Sequence, residues 1–270
     1  MTDFTLKSEK EIGEREVFVG IAETPEQKIG RLGVVTERYK HEGYLQDVGV
    51  AYSDLCAEEI VGDDGFVLLE ETLPSELFKE FLGNGLLIVF KDGQQLYIDK
   101  YNWQSIPFVA QTKDGFVGSV RIILQSGKGD NPEFPLPTLT DKDIVIEDDW
   151  REKTNDIKAE LSQFAKLKHT HPGVAVALLR IASIYSKRNN IDSWVATTDN
   201  LVVKLLNGVY FNFNLPKMGP SVEYLGSLST PIFIDIERAL LSAEGYESSK
   251  STAKFIRGED IPGFEWYTGI

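Results

Sequence analysis

The sequence predicts an α/β (α+β) fold with a mixed central sheet flanked by helices, and two observations carry this prediction. Residues 106–124 form two apolar stretches around Asp114 and Gly115, a dipeptide typical of a tight hairpin between antiparallel strands. In the second half of the chain, two strand-like stretches, 159–167 and 193–198, flank a segment with helical period. That pattern is typical of a crossover between parallel strands. A sheet that holds both connections is mixed.

Composition narrows the class of protein. A chain of 270 residues with 42% hydrophobic residues suits one large domain. The net charge of −14 argues against a nucleic-acid partner, because phosphate binding needs clustered Lys and Arg. The single cysteine, Cys56, excludes an internal disulfide, and no run approaches 18 apolar residues. We therefore expect a cytoplasmic protein that is not transmembrane.

The chain divides into three regions. Residues 1–16 are polar and charged and are interpreted as a lead-in. Residues 17–245 are predicted to form the main domain, with a packed insertion at about 45–98. Residues 246–270 are interpreted as a C-terminal tail that ends in the aromatic stretch GFEWYTGI. These aromatic side chains are expected either to dock on the domain or to contact a partner.

The domain begins with a strand, Val17–Ala22, and a helix. Thr24 caps this helix and Gln27 completes a capping box, while Gly43 is a natural C′ residue, so the helix is expected to end near His41. Its apolar stripe consists of Ile29, Leu32, Val35 and Tyr39. The insertion then holds a strand-like stretch (DDGFVLLEE), a helix from Pro74 or Ser75 to Gly83, and a second hairpin at Asp92-Gly93.

The hairpin strand that follows Asp114 carries a lone cation. A type I′ turn at Asp114-Gly115 is expected to have φ > 0 at both residues. Strand alternation places Phe116, Gly118, Val120, Ile122 and Leu124 on one face and Val117, Ser119, Arg121 and Ile123 on the other. Arg121 is expected either to extend its head to water or to contact an anionic substrate group.

The remaining elements alternate between strand and helix. A long loop rich in Gly and Pro follows Leu124. The predicted elements after it are a strand at 159–167, a helix from Pro172 to Asn189, a strand at 193–198, a helix at 200–207 capped by Asp199, an alternating stretch at 209–213, two short strands, and a helix at 237–243.

Five stretches in this order resemble the N-acyltransferase branch of the Gcn5-related (GNAT) superfamily. The similarity is to the acyl-homoserine lactone synthases and the long-chain N-acyl amino acid synthases, and it spans about residues 17–239 apart from the insertion. The matching stretches are ERYKHEGY (37–44), YIDKYN (97–102), GSVRIIL (118–124), AELSQFAK (159–166) and WVATTDNLVVKLLNGVYF (194–211). The resemblance implies a GNAT-like fold with a splayed central sheet.

The resemblance also implies a catalytic group of Glu160, Arg121 and Asp99. Glu160 matches the glutamate that is proposed to assist deprotonation of the acceptor amine. Two positions depart from the family pattern, because its second aspartate is Asn102 here and its arginine three residues after the glutamate is Gln163. These departures leave room for an amine other than the precursor of a homoserine lactone. A family arginine four residues before Tyr39 is also absent, since Val35 stands there.

The chemistry expected of these residues joins a thioester donor to a neutral amine. A glutamate in a mostly apolar cleft has a raised pKa and can accept the amine proton, and backbone N–H groups of a splayed strand can hold the oxyanion. The helix that follows HTHPG offers free N–H groups to a donor phosphate. The predicted donor-binding residues are Thr170, Gly173, Val174 and Ala175. Only Gly173 and Ala175 fit the usual pyrophosphate loop. A carrier-protein donor would tolerate this poor match, because its pantetheine arm has a single phosphodiester.

Each of these assignments has a structural alternative. Without the resemblance, the residues alone favour the interpretation of Glu160 as a surface residue at a strand start, and Asp99 is alternatively interpreted as a turn residue. Three aromatic residues are assigned to an acyl pocket, although core packing is the common role of such residues; they are Phe164, Trp194 and Phe213. His169 and His171 have metal-like spacing, but capping or phosphate contact is expected instead, and no metal is predicted.

The sequence thus predicts an N-acyltransferase that moves a fatty acyl group to the amine of an amino acid or related small acceptor. No bound cofactor is expected. The co-substrate is acyl-carrier protein, through its phosphopantetheine, or acyl-CoA. One alternative is a short-chain, CoA-dependent GNAT acetyltransferase, and another is a non-catalytic acyl-binding or interaction module on the same fold.

Overall fold

The computed structural model describes residues 16–44, 51–62, 65–66, 73–125 and 135–269. Nearly all of the predicted lead-in lies outside these ranges, as do most of the strand-like stretch DDGFVLLEE and the middle of the Gly- and Pro-rich loop. Among the described residues, no helix has the length and apolar character needed to cross a bilayer.

The strands are, in chain order, β1 (Val17–Ile21), β2 (Ala51–Cys56), β3 (Val61–Gly62), β4 (Gly65–Phe66), β5 (Leu86–Lys91), β6 (Gln94–Asp99), β7 (Ser105–Thr112), β8 (Gly115–Leu124), β9 (Ala159–Lys166), β10 (Ser193–Asp199), β11 (Val222–Tyr224), β12 (Ser227–Asp235) and β13 (Tyr267–Gly269). The helices are α1 (Pro25–Glu42), α2 (Ala57–Ile60), α3 (Ser75–Asn84), α4 (Pro137–Thr140), α5 (Asp148–Lys153), α6 (Val174–Arg188), α7 (Asn200–Leu206), α8 (Ile236–Glu244) and α9 (Glu247–Arg257).

A mixed, splayed sheet organises the domain, as the sequence predicts. Of the described strands, eight form it in the order β11-β12-β10-β9-β8-β7-β1-β13. The pairs β9–β10 and β1–β13 are parallel, and the other neighbours are antiparallel. Strands β9 and β10 pair at one position only, Glu160 with Val195, so they diverge beyond it. Strands β8 and β9, which hold Arg121 and Glu160, are adjacent and antiparallel.

The first helix forms as its sequence predicts. Thr24 accepts a hydrogen bond from the backbone of Gln27, and the Gln27 side chain accepts in return from the backbone of Thr24, which completes the capping box. The helix ends at Glu42, followed by Gly43 with φ of 74°. Helix α3 instead continues one residue past the predicted end, and Gly85 is its left-handed cap. Strand β6 packs against α1.

The turn at Asp114-Gly115 differs from the predicted type I′ geometry. Only Gly115 has a positive φ, of 112°, whereas in the second hairpin both Asp92 (49°) and Gly93 (77°) do. A register shift between Ala110 and Gln111 on β7 accompanies this turn. The extra residue that a bulge inserts breaks the alternation of side chains along β8.

Because of this bulge, the side chains of β8 do not lie on the faces that the sequence predicts. The Phe116 ring lies against Gly30 of α1, while Gly118 faces Val174 of α6. Phe116 and Gly118 therefore do not share a face, and the two helices flank the sheet on opposite sides. The stretch 209–213 was predicted to alternate as a strand, but it forms a turn in which Asn212 has φ of 49° and its side chain donates to the Val209 carbonyl.

The insertion and the C-terminal region both join the domain. Strands β2, β5 and β6 form a second sheet, whose apolar residues pack with Ile29 and Leu32 of α1. The region interpreted as a tail is integrated instead, because α9 packs on α6 and α8 and β13 pairs with β1. Its aromatic residues dock on the domain: Phe264 stacks on Phe255 with ring centroids 4.1 Å apart.

Candidate active site

Glu160 lies at the point where β9 and β10 separate. Its side chain is 5% exposed, and its Oε2 atom accepts a hydrogen bond of 2.8 Å from the backbone N–H of Thr138. Burial raises the pKa of Glu160 to about 7, against the opposing effects of the Thr138 hydrogen bonds and of the Arg121 charge. Glu160 is therefore a buried carboxyl that exchanges a proton near neutral pH, and the surface interpretation is wrong.

Arg121 is buried in an ion pair rather than extended to water. It is 2% exposed and donates to both carboxylate oxygens of Asp99, over 2.7 and 2.5 Å. Weaker contacts join it to Asn102 Oδ1 at 3.3 Å and to Ser162 Oγ at 3.4 Å. Strand β8 thus fixes the end of β6, and the partner of this cation is a carboxylate of the protein itself.

Arg31 of α1 is a member of this network that the sequence analysis missed. Its side chain is 0% exposed. Nη1 donates to Gln163 Oε1 and Nη2 to Asn102 Oδ1, each over 2.6 Å. Burial, and then the nearby Arg121 charge, lower its pKa to about 9. The two positions that depart from the family pattern are therefore the amide acceptors of this arginine.

A sequence signal for Arg31 does exist. It precedes Val35 by four residues and Tyr39 by eight, and both belong to the predicted apolar stripe of α1. Residues at this spacing share one face of a helix. A charged residue on a buried face needs a partner, so the stripe itself pointed to a buried ion or hydrogen-bond network.

Strand β9 carries an irregularity next to Glu160. The pairing of β9 with β8 shifts register between Ser162 and Ala165, and Gln163 has a φ of 49°. The Gln163 amide donates to Asp99 Oδ2 over 3.0 Å and accepts from Arg31. Both ends of this amide are therefore held, which stabilises a backbone conformation that non-glycine residues seldom adopt.

A cavity of about 1460 Å³ opens in front of these residues. Its wall includes the three predicted catalytic residues, Glu160, Arg121 and Asp99, which the fold brings together from three strands. Part of the wall is apolar and is formed by Val35, Phe164, Ala175, Ala196, Val202, Leu205, Leu206, Ile232 and Ile234. The site therefore combines a titratable carboxyl with a large apolar space.

The predicted donor loop differs from an open anion site. The Gly173 N–H donates to Nδ1 of His171 over 3.1 Å, and Gly173 is the N-cap residue of α6. The His171 ring packs against Trp266 with ring centroids 4.6 Å apart and planes tilted by 41°, and Trp266 also fills the space beside Gly173. Thr170 bonds the Leu167 carbonyl at 2.8 Å. Of the four predicted donor residues, only Ala175 reaches the cavity, since Val174 is in the core.

The aromatic residues assigned to the acyl pocket separate into two places. Phe164 lines the large cavity. Trp194 and Phe213 are 3% and 7% exposed and belong to the core, where they border a separate void of about 20 Å³. The Trp194 N–H donates to Ser186 Oγ of α6 over 2.9 Å, which fixes its ring on the α6 side of the sheet. The acyl-pocket assignment of these two residues is therefore corrected.

No family model and no curated protein matches the sequence. Among solved structures, the chain is similar to FeeM, an N-acyl amino acid synthase from uncultured soil microbes, at 14% identity over 84% of this chain and 94% of that chain (TM-score 0.49). It is also similar to the CoA-dependent acyl-homoserine lactone synthase BjaI (10% identity, 94% of each chain, TM-score 0.46) and to the synthase LasI (18% identity, 55% of this chain and 72% of that chain, TM-score 0.40). These are the two groups of synthases that the sequence motifs resemble.

Proposed function

We propose that this chain is an N-acyltransferase that moves a fatty acyl group from a thioester to the amine of an amino acid or related small acceptor. The amine nitrogen bonds to the thioester carbonyl carbon, the C–S bond breaks, and the sulfur leaves as the thiol. The amine loses one proton in this exchange. The observation that carries the proposal is a buried carboxyl, Glu160, which titrates near neutral pH on the wall of a large cavity.

Glu160 is suited to take that proton. A general base is most effective when its pKa lies near the working pH, and burial raises the pKa of Glu160 to about 7. Among the described residues, Thr138 alone donates hydrogen bonds to this carboxylate. A carboxylate has about four lone-pair sites, so an amine in the cavity has acceptor positions available on Glu160.

The splayed strands supply the second requirement of acyl transfer. Beyond the pair of Glu160 with Val195, β9 and β10 do not pair. Backbone N–H groups at such an edge can bind the oxyanion that forms as the amine attacks. The left-handed Gln163, held by Arg31 and Asp99, fixes the course of the strand here. In this proposal the buried network keeps the oxyanion donors in place and does not itself react.

The cavity and the donor loop favour a long acyl chain on a carrier protein. The apolar wall beside Phe164 suits a fatty acyl chain, and a volume of about 1460 Å³ exceeds what an acetyl group needs. The backbone N–H of Gly173, directly before α6, already donates to His171. The Trp266 ring covers the His171 ring. Coenzyme A requires more phosphate contacts than the single phosphodiester of a pantetheine arm, so this arrangement supports acyl-carrier protein as the donor.

A thiol-release assay tests the proposal. The donors are acyl-carrier protein and CoA, each with acetyl and long acyl chains, and the acceptors are a panel of amino acids and small amines. With the productive pair, Glu160→Gln should lower kcat by about 10² to 10⁴, the range for loss of a general base. High pH should partly restore its rate, because more of the amine is then neutral. Glu152→Gln, the same change at an exposed position on α5, is the control.

The assay also separates the alternatives. Turnover with acetyl-CoA in preference to long acyl donors would identify a short-chain acetyltransferase. Binding of acyl donors with no thiol release from any pair would identify a non-catalytic acyl-binding module. Near-parental turnover of Glu160→Gln at neutral pH would remove Glu160 from the role of base while leaving acyl transfer intact.

A further inference from the structure

Thr138 is the residue that holds Glu160, and it comes from outside the central sheet. It lies on α4, a short helix between β8 and β9, and is 0% exposed. Its backbone N–H donates to Glu160 Oε2 over 2.8 Å. Thr138 does not contribute to the wall of the cavity, whereas Glu160 does. Thr197, which Thr138 also contacts, lines the cavity as well, so any effect of Thr138 on a substrate passes through Glu160 or Thr197.

The hydroxyl of Thr138 is fixed as well. Its Oγ1 atom lies 3.0 Å from Oγ1 of Thr197 on β10, and either hydroxyl can be the donor. A hydroxyl has one proton and two lone pairs. When Thr197 donates to Thr138, the Thr138 proton is available to the Glu160 carboxylate. Helix α4 is thereby connected to both strands at the point where they separate, since Glu160 is on β9 and Thr197 is on β10.

The charge of Glu160 depends on the balance of its surroundings. Burial is the largest influence and favours the neutral acid; the Asp99 charge acts in the same direction. The Arg121 charge favours the carboxylate. Two phenols, Tyr101 and Tyr224, also lie within electrostatic range of Glu160 and have raised pKa values. Within this setting, the hydrogen bonds from the threonine are the strongest influence that favours the charged base.

We propose that Thr138 is a positioning residue for the acyl transfer, orienting the Glu160 carboxylate toward the cavity through its N–H and hydroxyl groups, with Thr197 holding the hydroxyl in place. This inference rests on the proposed role of Glu160 as the base. Thr138→Val removes the hydroxyl at constant shape and keeps the backbone N–H. Thr138→Ser keeps both groups. The pair therefore isolates the hydroxyl from the packing of the residue.

The experiment measures two properties of each variant. Infrared difference spectra, referenced to Glu160→Gln, follow the protonation of Glu160 with pH, and kcat is measured over the same range. In Thr138→Val the midpoint of both curves should move to higher pH, and kcat near pH 6 should fall by up to about tenfold, as expected for one hydrogen bond to a charged group. Thr138→Ser should restore the parental curves.

Two further variants complete the test. Thr154→Val removes another buried threonine hydroxyl, which bonds the Trp150 carbonyl at 2.8 Å, and should leave both curves unchanged. Thr197→Val should shift them in the same direction as Thr138→Val but less. Because Thr197 lines the cavity, its infrared midpoint rather than its kcat gives the second measurement if Thr138→Val does not fold. Parental curves in both Thr138→Val and Thr197→Val would overturn the proposal. If the infrared midpoint shifts but the protein shows no acyl transfer with any donor and acceptor, Thr138 still orients the Glu160 carboxylate, and the proposed function is rejected.

Discussion

Glu160 binds its proton more tightly in the folded chain than in the unfolded one, because burial raises its pKa from 4.5 to about 7. Below about pH 4.5 both states are protonated and the group has no effect. Between about pH 4.5 and 7 the folded state holds more protons, so stability falls as the pH rises. At about 1.4 kcal/mol per pKa unit, the loss is up to roughly 3 kcal/mol.

This linkage predicts how stability changes in Glu160→Gln. Residue 160 cannot ionise in the variant, so the free energy of unfolding should not fall between about pH 4.5 and 7 on its account. Above pH 7 the variant should therefore be more stable than the parent. Urea unfolding at pH 5 and pH 7.5 measures both proteins, and Glu152→Gln serves as the control for the change of charge. An equal decline in parent and Glu160→Gln would show that Glu160 ionises freely in the folded protein.

Arg31 gives the second prediction at the scale of single residues. Arg31→Met keeps most of the stem but leaves Gln163 Oε1 without its 2.6 Å donor. Asn102 Oδ1, which is buried, also loses a 2.6 Å donor and keeps only the 3.3 Å contact of Arg121. Because the hydrogen bonds of this buried network are then incomplete, the free energy of unfolding should fall by roughly 2 to 4 kcal/mol. Arg38→Met on the same helix breaks a partly exposed pair with Glu42 and should cost less than about 1 kcal/mol. Similar losses in both variants would reject a special role for Arg31.

The candidate site was predictable from the sequence only in part. The resemblance grouped Glu160, Arg121 and Asp99, because each lies in one of five matching stretches that occur in the order of the family. The position of Arg31 on the apolar stripe of α1 indicates a buried charge, but its partners are 71 and 132 residues away in the chain, and no local pattern identifies them. Trp194 was misplaced, because an apolar strand residue has the same pattern whether it faces a cavity or the core.

At the scale of elements, the close approach of β8 and α6 depends on Gly118. A Cβ atom at Gly118 would lie 2.5 Å from Val174 and 3.0 Å from Leu178. Gly118→Ala should therefore destabilise the protein by about 1 to 3 kcal/mol through overpacking. Gly33→Ala on α1 is the matched control, because nothing lies within 4 Å of its added Cβ, and it should stabilise the helix by up to about 1 kcal/mol. Thermal unfolding of the two variants should thus shift in opposite directions.

Elements were predicted well where their ends carry chemical signals. The capping box at Thr24 and the cap at Gly43 fixed α1, and an Asp-Gly pair located each hairpin. The type of turn at Gly115 was not predictable, because a bulge in β7–β8 pairing sets it. The stretch 209–213 alternates like a strand, but the hydrogen bonds of Asn212 to Val209 and Ser249 favour a turn. Tertiary contacts therefore overrode the local pattern there.

At the scale of the whole molecule, the two ends of the described chain meet in one sheet. Strand β13 pairs with β1 in parallel, which covers the outer edge of β1. The segment before β13 places Phe264, Trp266 and Tyr267 around Phe255 of α9. Residues 258–269 hold turns and a strand of three residues. No periodic pattern in the sequence therefore predicts that this segment packs on the domain. We therefore expect residues 261–269 to contribute to the stability of the domain.

Deletion of residues 261–270 tests this contribution. The deletion removes β13 and the three aromatic side chains but retains the carbonyls of Phe255, Gly258 and Glu259 that Arg180 binds. Loss of one buried aromatic side chain costs about 3 to 5 kcal/mol, and the ordering entropy of the segment offsets part of this loss. We expect the free energy of unfolding to fall by at least about 2 kcal/mol in urea titrations followed by circular dichroism and tryptophan fluorescence. The exposed edge of β1 should also promote association, which light scattering detects. Deletion of Ile270 alone leaves β13 intact and should unfold like the parent; if the longer deletion does so too, the C-terminal segment does not stabilise the domain.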